Sequence, residues 1–115
     1  VKIVYIAGKF RGPTPWDVAE NVRAAERWAL KVAQCGAMPL CPHANTAHFD
    51  GQLDDRFWID GTLEMLKRCD GALFIPGWTE SRGSREEHAF AKRSGIEVWG
   101  FTHVGSPEFS GWCKS

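Results

Sequence analysis

The stretch Cys69–Lys92, CDGALFIPGWTESRGSREEHAFAK, decides how the rest of the chain is read. Ala72 to Ile75 is a short apolar strand, and Pro76-Gly77-Trp78 breaks it. A polar turn holding Ser81 and Gly83 then opens a helix that carries Glu86 and Glu87. A buried strand that passes through a Gly-containing loop into a helix is how α/β proteins build anion sites, because a helix start leaves backbone N–H groups without intrahelical partners. Glu87 adds a carboxylate one to two turns inside that helix. An anion-friendly helix start beside a candidate nucleophile points to chemistry on a phosphorylated or polar small molecule.

Upstream, Lys2 to Ala7 (KIVYIA) is a near-continuous β-branched and aromatic run, suited to a central strand buried on both faces. It breaks into the loop GKFRGPTP, with two Gly, two Pro and the cations Lys9 and Arg11. Thr14-Pro15-Trp16-Asp17 predicts a helix start, with Thr14 as N-cap, Pro15 at the first helical position and Asp17 as the capping-box acid. Val18, Val22, Ala25, Ala29 and Val32 keep helical spacing to about Cys35, and Gly36 ends the helix. Ala37 to Cys41 is a second strand, placed at a sheet edge by Pro39. Pro42 to Leu53 is a polar loop, longer than a simple connection needs. A helix over Asp54–Arg68 follows, weakened at Gly61. After the central stretch, Gly95 stops the helix and Glu97 to Phe101 forms a fourth strand. The tail 102–115 shows no period and is expected to be irregular.

Alternating strands and helices predict one α/β domain over 1–115. It is a three-layer, Rossmann-like or flavodoxin-like arrangement with a mostly parallel sheet of four to five strands in the order 2-1-3-4. In such sheets ligands sit beyond the carboxyl ends of the strands, where the winding reverses. With the first strand beside the third, Lys9, Arg11, Trp78, Ser81, Gly83 and Glu87 face one another.

Composition narrows the function classes. The chain has 115 residues, is 43% hydrophobic and fits a single modest core. Lys plus Arg equals Asp plus Glu at 14 each, so no global field draws polymeric nucleic acid or an anionic membrane. No apolar run spans a bilayer and no presequence opens the chain. Cys35, Cys41, Cys69 and Cys113 form no C-x-x-C pair, which predicts reduced thiols in a cytoplasmic protein. His43 and His48 lack acidic or Cys partners at ligand spacing, so neither a metal nor another cofactor is expected.

Two stretches together resemble the nucleoside 2-deoxyribosyltransferase superfamily, and more closely its short branch known as domain of unknown function 4406. They are Tyr5 to Gly12 (YIAGKFRG), and Gly77-Trp78 followed by Ser81-x-Gly83-x-x-x-Glu87. The likeness spans Lys2 to Phe101. It implies cleavage of an N-glycosidic bond, with the catalytic glutamate at Glu87 and the tyrosine at Tyr5. The substrate-gripping serine and glycine would be Ser81 and Gly83, and the loop around sugar and phosphate would be Gly8, Lys9, Phe10, Arg11 and Gly12. In that superfamily a serine at position 81 goes with nucleoside 5′-monophosphates and an aspartate with free nucleosides. Ser81 with Arg11 thus tilts the expectation toward a phosphorylated substrate. The superfamily's second acid has no clean counterpart: Asp60 is nearest, and the expected place is filled by Thr62. The resemblance also implies homo-oligomers in which a neighbour helps close each pocket, with Phe109 to Trp112 as a contact.

The mechanism implied is attack of Glu87 on the anomeric carbon, giving a covalent glycosyl-enzyme that water or a second base resolves. Glu87 would have to stay ionised, helped by the helix start and by Arg82 or Arg85. Tyr5 would hold it in line, Asp60 or a water would protonate the leaving base, and Trp78 or Phe10 would stack on that base. Plainer roles stand beside these. Ser84-x-x-Glu87 also matches a capping box, Tyr5 fits a core strand, Asp60 fits a polar helix face, and Trp78 fits a cap on the core. Two other functions share the fold: a nucleotide-binding sensor without turnover, and a phosphoribohydrolase of the cytokinin-activating type.

Overall fold

Val4, Tyr5, Ile6 and Ala7 are each at most 1% exposed, as expected of an apolar and aromatic strand when both faces of its sheet are covered. The computed structural model describes residues 1–49 and 51–115. Its sheet has four parallel strands: β1 (Ile3–Ala7), β2 (Met38–Leu40), β3 (Gly71–Phe74) and β4 (Glu97–Gly100). They lie in the order β2-β1-β3-β4, the arrangement of a Rossmann-like or flavodoxin-like domain. The two fully apolar strands take the centre, with Tyr5 opposite Ala72 and Ile6 opposite Leu73. Pro39, which has no N–H to donate, sits on edge strand β2, as anticipated.

Side chains of β1 alternate between two cores. Val4 and Ile6 join Leu73, Ile75 and the inner face of α1 (Pro15–Gln34) through Ala25, Ala29 and Val32. Tyr5 and Ala7 join Ala72 and Phe74 on the opposite face. There Leu66 of α3 (Asp55–Lys67) and Ala91 of α4 (Arg82–Arg93) close over them. This period of two sends Tyr5 toward α3 and α4. Helix α1 starts as anticipated, with Thr14 and Asp17 forming a reciprocal capping box and Pro15 in the first turn.

Two expectations change. The loop after β2 contains a short helix, α2 (Pro42–Asn45), which buries His43. The tail is not irregular: a 3-10 turn at Phe101–His103 ends β4 one residue early, and α5 (Pro107–Lys114) follows. Ser106 caps α5 by accepting from the Phe109 amide, and Phe109 and Cys113 face the first core. Two turns of helix are too short to show a period, but Ser106-Pro107 is a helix-start signal that was there to be read. Phe109 and Trp112 pack against Trp99 of the chain's own sheet. Gly71 is required there, since a Cβ would lie 2.5 Å from the Trp112 ring.

Candidate functional site

Because β1 and β3 are neighbours whose connections leave in opposite directions, the loops after Ala7 and after Phe74 meet at the carboxyl end of the sheet. Lys9 and Glu80, one from each loop, approach to 3.9 Å. Glu87 enters this crevice from α4, one helical turn before Ala91, on the face turned to the sheet.

The Tyr5 hydroxyl donates a hydrogen bond to Glu87 Oε2. Removing the carboxyl from water pushes the Glu87 pKa up to about 7; the Tyr5 hydrogen bond opposes this, and the neighbouring Glu86 adds to it slightly. Burial, and then the Glu87 charge, raise the Tyr5 phenol well above its ordinary value, so Tyr5 remains the donor. Thr62 of α3 neighbours the Tyr5 hydroxyl, while its own hydroxyl donates to the Ile59 carbonyl at 3.0 Å. The position where the resemblance expects an acid therefore lies beside Tyr5.

Asp60 stands elsewhere on α3. Its side chain is 64% exposed and pairs at 2.6 Å with Arg56, which also reaches Glu86. Among the described residues it shares no contact with Tyr5 or Glu87. Arg85, expected to support the Glu87 charge, instead donates to the Thr79 carbonyl at 2.7 Å.

Ser81 caps α4, accepting from the Ser84 amide at 3.2 Å. With Ser81 rather than Ser84 as N-cap, Glu87 is free to reach Tyr5, and the Ser84–Glu87 capping box does not form. Gly83 lies in the first turn with no crowding: a Cβ there would meet only the Ser81 hydroxyl, at 3.8 Å. The open space over that turn is what a ligand approaching the helix N–H groups needs. Trp78 is half-buried. It stacks on His88 with ring centres 4.4 Å apart and sets its edge against Phe74, covering the second core.

The loop Gly8–Gly12 is held at many points. A Cβ on Gly8 would lie 2.4 Å from Ile75, so only glycine lets the two loops approach this closely. His43 Nε2 is 3.0 Å from the Gly8 carbonyl oxygen and 3.1 Å from that of Lys9. Asn21 Nδ2 donates to the Phe10 and Arg11 carbonyls at 3.0 and 3.2 Å. Arg11 pairs with Asp55 at 2.6 Å, so both loop cations sit beside carboxylates. Sequence reasoning passed over His43 and Asn21 as site residues. A His directly after Pro42 in a polar loop was the only local signal for the first, and nothing marked Asn21 on its helix.

A groove of about 740 Å³ runs along the first turns of α1 beside Gly12, lined by Val18, Val22, Ala47 and His48. A second, of about 350 Å³, separates α1 from α5. Neither groove is lined by Tyr5, Ser81 or Glu87. Among the described residues, no three His, Cys, Asp or Glu side chains gather at metal-binding distance, and no helix is long and apolar enough to cross a membrane.

Fold and site together define a small parallel α/β domain with a half-buried carboxyl, held by a tyrosine, at its topological switch point. The chain belongs to a family described as a domain of unknown function (DUF7768), which matches residues 2–101. No curated protein matches it.

Proposed function

We propose that this protein cleaves the N-glycosidic bond of a nucleoside or nucleoside 5′-monophosphate, with Glu87 as nucleophile. The observation that carries this reading is the Tyr5–Glu87 hydrogen bond at the mouth of the crevice, next to the open first turn of α4. The Glu87 carboxylate attacks the anomeric carbon; an ester bond forms as the C–N bond breaks, and its electron pair leaves with the base. The departing base takes a proton from water, since Asp60 is held by Arg56 on the solvent face. Water then adds to the anomeric carbon, loses a proton to solvent, and releases the sugar and the free carboxylate. A second base in place of that water gives transfer instead of hydrolysis. Tyr5 fixes the carboxylate, and the α4 start with Ser81 and Gly83 supplies N–H donors for a 5′-phosphate. Lys9, Phe10 and Arg11, on the loop after β1, would complete the binding of the sugar and phosphate.

The experiment is incubation with a panel of nucleosides and their 5′-monophosphates, following free base. Release that disappears in Glu87→Ala supports the reading. Binding without release would instead favour a nucleotide sensor, the alternative that the distance of Asp60 from the pair speaks for. Neither binding nor release would sink both.

A further inference from the structure

Pro42 begins α2 and turns the next side chain, His43, inward until it is 7% exposed. Carbonyl oxygens only accept hydrogen bonds, so Nε2 of this ring must carry the proton shared between the Gly8 and Lys9 carbonyls. Asn21, from α1, does the same for the next two carbonyls, those of Phe10 and Arg11. Four successive carbonyls of the loop after β1 are thus captured by two side chains from outside it. In a planar trans peptide the N–H points opposite to the C=O of the same unit. Fixing the Gly8 and Lys9 carbonyls on His43 therefore turns the Lys9 and Phe10 N–H groups away from it. Neither N–H makes a hydrogen bond among the described residues. The Phe10 ring packs edge-on against the imidazole, with ring centres 5.6 Å apart.

We infer that His43 and Asn21 are positioning residues: they hold the Gly8–Gly12 loop with its carbonyls turned inward, so that the Lys9 and Phe10 amides are presented as donors to the ligand over Glu87. The ligand part of this rests on the nucleotide reading above; the bracing part does not. An ordered pair of outward amides is a preformed anion contact, and a loop that must order itself on binding gives away part of that affinity.

Three measurements test it. In the wild-type protein, imidazole ¹⁵N–¹H correlation should show His43 with its proton on Nε2; a neutral ring protonated on Nδ1 alone overturns the brace. Backbone relaxation should give order parameters of about 0.85 for residues 9–12 in the wild type and below about 0.6 in His43→Phe, which fills the volume without a donor. His43→Gln, whose amide can donate to the same carbonyls, should return them toward the wild-type value. Unchanged order in His43→Phe overturns the inference, and where that variant does not fold, Asn21→Ala carries the same expectation for residues 10–12. With the four common deoxynucleoside 5′-monophosphates as probes, His43→Phe should raise KM about tenfold, the worth of roughly one lost hydrogen bond, with kcat nearly unchanged. A loss confined to kcat overturns the presentation of the amides. If the wild type releases no base from any probe, the proposed activity fails, while tautomer and order parameters still decide the brace.

Discussion

Glu87 is the residue on which chemistry and stability pull in opposite directions. Its pKa in the fold is about 7, above the usual carboxylate value, because its carboxyl has lost hydration. A nucleophile must be ionised, so base release should rise through a limb with an apparent pKa near 7 and level off above it. Tyr5→Phe removes the hydrogen bond that favours the charged form. It should move that limb to higher pH and lower the plateau about tenfold, as a pH–rate profile would read. The same shift has a stability consequence of opposite sign. With its folded pKa raised, the folded protein holds a proton that the unfolded chain releases, so stability is highest below the unfolded pKa. It falls as pH rises toward 7 and is flat beyond. Glu87→Gln should therefore be about 1–3 kcal/mol more stable than wild type at pH 8 and near parity at pH 4, by denaturant titration. No difference at pH 8 would mean that the carboxyl is hydrated in the fold.

At the scale of elements, two glycines set how closely parts can approach. Gly8 lets the loop after β1 lie against Ile75, and Gly71 lets the Trp112 ring of α5 come close to the start of β3. Gly71→Ala has no relief from the rigid indole at 2.5 Å and the Glu97 carbonyl at 3.0 Å. It should cost about 1–3 kcal/mol, seen as a lower denaturation midpoint with an unchanged slope. An unchanged midpoint would show that α5 is not seated there. Helix α4 shows how a cap decides a site. Ser81 and Ser84 are both acceptable N-caps by type, and only the first lets Glu87 face the sheet. The alternative start would have turned this side chain back on its own helix.

For the molecule as a whole, the two cores on opposite faces of the sheet depend on different parts of the chain. The family match ends at residue 101, yet Phe109 and Cys113 beyond it are at most 2% exposed in the first core. Phe109→Ala should cost about 3–5 kcal/mol, a large part of the total for so small a domain. A variant with a wild-type thermal midpoint would show that the tail is an accessory. Loss of this core should leave the Tyr5–Glu87 face to collapse with it, because β1 contributes alternate residues to both.

Residue order alone was enough for the parallel sheet, its strand order and the edge position of β2. Those follow from runs of apolar residues, a lone proline and the short turns between periodic segments, all local properties. Tyr5 and Glu87 were singled out by the resemblance, not by pattern: strand alternation fits Tyr5 equally to a core, and Ser84-x-x-Glu87 fits a capping box. What local pattern could not carry was every contact made by side chains far apart in the chain. Thr62 rather than Asp60 meets Tyr5, because one helical face turns inward and the other stays with Arg56 in water. His43 and Asn21 reach one loop from two separate helices, and a tail with no visible period folds because Phe109 finds a hydrophobic core. Those choices belong to packing, where burial and unmet hydrogen bonds on distant segments select one arrangement over the others the sequence allows.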